Sequence, residues 1–125
     1  MPATFNRDAL VHNGHNYRGK VEELIVPTIS IQSLLSKHQV NRVDLLQIDT
    51  EGYDFEIIKM FDYTKVKPTI IHFESAWLGV NEGVQCFKFL NNLGYRVLTI
   101  GIDTIAYIQV DDDDFVEKYE NKGYK

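Results

Sequence analysis

Five residues in this sequence have the types and spacing for polar chemistry. Asp49 and Glu51 stand two apart in "DLLQIDTEG"; Glu74 closes "TIIHFE", with His72 two residues before it and Trp77 in the loop that follows. Clustered carboxylates can take a proton from a hydroxyl, orient a polyol or hold a divalent cation. Each residue also has a plainer reading. Asp49 or Thr50 can cap the helix that begins after Gly52, with Glu51 favoured by the helix dipole. Glu74 can cap or turn its loop, and His72 can be a hydrogen-bonded core histidine. Trp77 is either a lid over a pocket or surface packing, and Gly52 gives room for a tight strand-to-helix turn.

Whether these acids meet depends on the elements that carry them. "VDLLQIDT" is an apolar run of strand length. "GYDFEIIKMFDY" has Phe55, Ile58 and Phe61 at spacing three, with Ile57 widening the apolar face and Asp54 and Glu56 in the first turns, which predicts a helix. "VKPTIIHFES" is a β-branched strand entered through Pro68. "VQCFKFLNNLG" is a helix with Val84, Phe87 and Leu90 on one face and Gly94 as its C-terminal cap. "YRVLTIGID" and "TIAYIQV" form a hairpin around Gly101 to Thr104. Upstream, "EELIVPTISI" reads as a strand with Pro27 at an edge or boundary. "SIQSLLSKHQV" reads as a helix with Ser30 as N-cap and Ile31, Leu34 and Leu35 at helical spacing.

Strands alternating with helices define an α/β domain with a parallel sheet, and the closing pair adds one antiparallel member at its edge. If the strands ending at Asp49 and Glu74 are neighbours, their ends lie about 5 Å apart. They then face one crevice beyond the carboxyl ends of the strands, where open α/β sheets take ligands.

The chain has 125 residues, enough for one domain, and a net charge of -5, which argues against nucleic-acid and anionic-membrane partners. Residues 1–20 read as an irregular lead segment, 21–110 as the folded domain and 111–125 as an acidic polar tail. The lone cysteine, Cys86, sits in an apolar pattern and is expected in the core. No run has the length of a membrane span and the N-terminus has no apolar signal core, so the compartment read from the sequence is cytoplasmic. The eight glycines form no G-x-G pair and no P-loop, and there is no H-E-x-x-H, C-x-x-C or G-x-S-x-G.

"VPTISIQSLL", then "VDLLQIDTEGYDFEIIKMFD", then "KPTIIHFES" resembles the signature order of FkbM-type methyltransferases: T-[IL]-x-x-L-L, then V-D-L-L-K-I-D-x-E-G-x-[ED], then a strand ending in Glu. The match spans about Val26 to Ser75, with compatible elements to about Val110. The resemblance implies a Rossmann-like class I sheet of seven strands, the last antiparallel, S-adenosylmethionine as cofactor, and methylation of hydroxyl groups on sugars or natural products. It places Asp49, Glu51 and Glu74 as catalytic acids and Gly52 as the structural glycine. His72 and Trp77 then fall on the substrate side, and a divalent metal stays open. The sequence departs from the family at Gln47, where lysine is usual, and at Ile31-Gln32, where Leu-Asp is frequent. Nothing before Val21 matches the glycine-rich loop and ribose-binding acid of the family's first strands.

The expectation is therefore a partial sheet, without the N-terminal cofactor-binding strands, that binds S-adenosylmethionine weakly or not at all as the isolated chain. The corresponding partner is a small-molecule hydroxyl acceptor. The unpaired sheet edge invites a second copy or a complementing chain. A non-enzymatic α/β module working by self- or hetero-association is the rival reading. A carboxylate-bound metal hydrolase is a weaker one, short of the usual number of ligands.

Overall fold

Alternating apolar residues make the two central strands. In Ile70–Glu74 (β2), Ile71 and Phe73 are fully buried while Ile70, His72 and Glu74 point to the other side. The computed structural model describes residues 24–109, so the lead segment 1–20 and the tail 111–125 lie outside the described residues. Leu45–Gln47 (β1) pairs parallel with β2, Gln47 opposite His72. Between them runs Asp54–Lys59 (α2), which buries Phe55 and Ile58. This is the parallel strand–helix–strand unit expected from the sequence.

Val80–Asn92 (α3) follows β2 and buries Cys86 and Leu90. Of the expected apolar face, Leu90 is buried and Phe87 packs half-buried against the core, while Val84 is exposed. Gly94 closes the helix at φ 86°, a left-handed conformation that glycine adopts without penalty. Arg96–Ile100 (β3) and Asp103–Tyr107 (β4) then form the expected hairpin across Gly101 and Ile102, Gly101 at φ 65°.

The sheet order is β1-β2-β4-β3, with β4 antiparallel to both neighbours. The antiparallel member is thus interior, and β3 is at the edge, which corrects the expected placement. The hairpin docks through β4 because Thr104 and Ala106 are small enough to lie fully buried beside Ile71 and Phe73, whereas most of β3 is exposed.

A second correction concerns "EELIVPTISI": residues 24–30 form no strand. Leu24, Ile25, Val26 and Ile29 are exposed, and Pro27 lacks the donor a ladder needs. Ile31–Lys37 (α1) does form, with Ser30 Oγ accepting from the Ser33 N–H at 3.1 Å as the sequence predicts. It buries none of its residues, and Gln32 Nε2 donates to the Met60 carbonyl at 2.7 Å.

The core lies on one face of the sheet. Ile48, Phe55, Ile58, Ile71, Phe73, Leu78, Cys86, Leu90, Tyr95 and Ala106 make a continuous cluster. Phe89 bridges it edge-on to Phe55 and Tyr63, both at 5.9 Å between ring centres. Tyr63 Oη donates to the Ile58 carbonyl at 2.9 Å, and Tyr95 Oη to the carbonyl of buried Pro68, which fixes the start of β2.

Candidate functional site

Parallel pairing of β1 with β2 brings the two acidic strand ends side by side. The Ile48 N–H donates to the His72 carbonyl at 2.9 Å, carrying the ladder one residue past β1. Two residues on from the Gln47–His72 pair come Asp49 and Glu74, each just at the carboxyl end of its strand. The register also adds an acid that sequence reasoning missed: Asp103, opposite Glu74 on β4. Its Oδ1 lies 3.4 Å from His72 Nε2 on the open face of the sheet. His72 is half-buried there, outside the apolar core. Gln47, exposed and in register with His72, occupies the position where the resembling family carries lysine.

The turn between β1 and α2 is held in an unusual backbone. Glu51 has φ 53° and Gly52 φ 100°, two successive left-handed residues. Only glycine takes the second readily, and the first is uncommon for a side-chain-bearing residue. The turn is tied from the helix side. Thr50 Oγ1 donates to Asp54 Oδ2 at 2.9 Å and the Gly52 N–H donates to the same oxygen at 3.3 Å. Neither Asp49 nor Thr50 caps α2, whose N-cap is Tyr53 without a side-chain capping bond. The capping alternative is thereby corrected: Thr50 donates to the helix's first carboxylate and does not accept from its backbone.

Trp77 closes the other side. Its Cβ and carbonyl lie 3.7 Å from where a Cβ on Gly52 would stand, so the loop after β2 rests on the turn after β1. The end of β2 is anchored to the hairpin by a chain of hydroxyls. Thr104 Oγ1 donates to Ser75 Oγ at 2.7 Å and is 2.9 Å from Thr99 Oγ1, while the Ser75 N–H reaches the Ile102 carbonyl at 3.0 Å.

This setting changes Glu74. Burial raises its carboxyl above the ordinary value; the Trp77 side chain, a hydrogen-bond partner, partly offsets this, and the charges of Glu51, Asp49 and Asp103 push it up further. A carboxylate that holds a proton to higher pH is a better match to proton transfer near neutrality. Asp49 is exposed and Glu51 half-buried. The structure therefore brings together Asp49, Glu51, Glu74, Gly52 and Trp77 at one end of the sheet. His72 lies one step back along β2. Cys86 is fully buried and its thiol is pushed up to about 12, chiefly by burial, which makes it inert as a nucleophile.

Among the described residues no group of three or more histidine, cysteine, aspartate or glutamate side chains is arranged to hold a metal ion. No helix among the described residues is long and apolar enough to cross a membrane.

A mixed four-stranded sheet with helices α2 and α3 packed on one face, and acids at the carboxyl ends of adjacent parallel strands, defines the class: a small α/β domain. The methyltransferase FkbM domain matches residues 2–97, more than half of the chain, and the protein belongs to that family. The matched span starts upstream of Val26, where the resemblance becomes legible by eye. Searches of curated proteins and of solved structures gave no match.

Proposed function

We propose that residues 24–109 form the acceptor side of an S-adenosylmethionine-dependent O-methyltransferase acting on a hydroxyl of a sugar or small natural product. The observation that carries this is the meeting of Asp49, Glu51 and Glu74 at the ends of adjacent parallel strands, in a chain of the FkbM methyltransferase family. The antiparallel last strand supports the same fold assignment. Glu74 is the residue suited to receive the acceptor's hydroxyl proton, since it is half-buried and its carboxyl is raised. Asp49 and Glu51 accept hydrogen bonds from neighbouring hydroxyls of a polyol, and Trp77 offers an apolar edge beside them. His72, paired with Asp103, borders the crevice.

The eight glycines form no G-x-G pair to cradle the donor, so the chain alone is expected to hold it weakly. Titrating the chain with a panel of sugars and polyhydroxylated small molecules tests the acceptor half by NMR. Shifts confined to the signals of Glu74, Trp77 and the Asp49–Gly52 turn are expected; a panel that moves none of them overturns the reading. Isothermal titration with S-adenosylmethionine is expected to show weak or no binding, and low-micromolar binding by a monomer overturns that expectation.

One observation favours a second reading. Among the described residues no strand pairs with the outer edge of β1, and an unpaired edge is a template for association. A module working by association would sediment as a dimer or larger species and would tolerate Asp49→Ala.

A further inference from the structure

We infer that Asp54 is a positioning residue: its buried carboxylate locks the Thr50–Gly52 turn and so sets the direction from which Glu51 faces Glu74. The inference rests on the reading that this turn lines the acceptor site. An acid in the first turn of a helix is ordinarily a surface residue favoured by the helix dipole. Asp54 is instead completely buried, between the turn and the core residues Phe55 and Ile58. Its Oδ2 accepts from Thr50 and from Gly52, the two residues that flank Glu51. Glu51 is thus clamped on both sides while its own backbone sits in the left-handed region. A residue in that conformation persists only where its surroundings over-determine it.

The other carboxylate oxygen sharpens the point. Asp54 Oδ1 is buried and has no hydrogen-bond partner among the described residues. A buried unsatisfied acceptor is destabilising, so an apolar residue would serve a purely structural helix start better. What an apolar residue cannot supply is the acceptor that ties Thr50 to Gly52. The side chain is oriented for the turn at the expense of its second oxygen, which is the pattern of a residue retained for the geometry of a site.

Glu74 provides the readout. The charges that raise its carboxyl are those of Glu51, Asp49 and Asp103; Asp54 is not among them. A change at residue 54 is expected to reach Glu74 chiefly by moving the turn, and Asp54→Asn, which removes the charge but keeps the oxygen, separates the two routes. The side-chain carboxyl of Glu74 would be titrated by NMR in the wild-type chain and in Glu51→Gln, Asp54→Ala, Asp54→Asn and Thr50→Val. Glu51→Gln is expected to lower the Glu74 midpoint, because a neighbouring negative charge is gone. Asp54→Ala is expected to lower it in the same direction with Glu51 still present. Asp54→Asn keeps an oxygen for Thr50 and Gly52 and is expected to restore the wild-type midpoint. Thr50→Val removes one of the two ties and gives a smaller fall, and it carries the test if Asp54→Ala does not fold. A Glu74 midpoint unmoved in the folded Asp54→Ala and Thr50→Val chains overturns the inference. Failure of every hydroxylated acceptor to bind the wild-type chain overturns the functional reading instead, so the two outcomes are separable.

Discussion

One face of β2 carries Ile71 and Phe73, both fully buried, while the other carries Ile70, His72 and Glu74, which remain partly in water. The same contrast runs across the sheet. Thr104 and Ala106 of β4 are buried on the first face; Leu45, Leu98 and Ile100 are exposed, at 54%, 51% and 63%. On the covered face the helices α2 and α3 supply Phe55, Ile58, Cys86 and Leu90. On the open face, no described residue does the same. A single strand therefore separates two tasks by its period of two: alternate residues hold the fold, and those between them are left to face a partner or a ligand.

That division can be broken at its strongest point first. Phe73→Ala removes a fully buried ring from the centre of the cluster and is expected to cost about 3–5 kcal/mol. For a domain of this size that is much of the total stability, read by urea unfolding. Next is Gly52→Ala. The space there allows an ordinary van der Waals contact, since Trp77 is 3.7 Å away, but φ 100° does not suit a side chain. A loss of roughly 1–2 kcal/mol is expected by thermal unfolding. Leu98→Ser, on the open face, is expected to shift stability by no more than about 0.5 kcal/mol, because its side chain is already half in water. A cost as large as that of Phe73→Ala would mean that the face is covered in solution.

The subtlest contrast is in pH dependence. Glu74 has a carboxyl raised above 4.5, mainly by burial. Its protonated form is the one the fold favours. The contribution is complete below about 4.5, the unfolded value, and is lost as pH rises through the higher folded value. Glu74→Gln is therefore expected to flatten stability across that window, measured by urea unfolding from acid to neutral pH. Asp62 has the opposite sign. Hydrogen bonds from Thr64, then Lys65, lower it, so its contribution is present above 3.8 and is lost as pH falls.

The period of the apolar residues made β1, α2, β2, α3 and the hairpin legible, and local chemistry marked their ends at Ser30, Gly94 and Gly101. What the pattern does not carry is pairing. "TIAYIQV" and "YRVLTIGID" announce a hairpin, yet which member joins β2 follows from the size of Thr104 and Ala106 against the core. "EELIVPTISI" has strand-like composition, but a strand needs a neighbour, and residues 24–30 have none among the described residues. The acids Asp49, Glu51 and Glu74 could be placed at one crevice from the order of elements alone. Asp103 could not, because its approach depends on the register of β4. Asp54 was visible as a helix-start acid and as the last acid of the family-like motif, but not as a buried one, since its burial and its two hydrogen bonds arise from the backbone of the turn.

The interior position of β4 has a consequence for synthesis. Ser75, at the end of β2, meets Thr104, 29 positions further along. At ordinary rates of translation, β2 emerges on the order of seconds before the strand that flanks it. Until then β1, α2 and β2 can associate, but Ile71 and Phe73 lack Thr104 and Ala106 beside them and β2 keeps one bare edge. The last strand to leave the ribosome among these elements is thus a keystone, slid between two others, and the sheet becomes one cooperative unit only on its arrival.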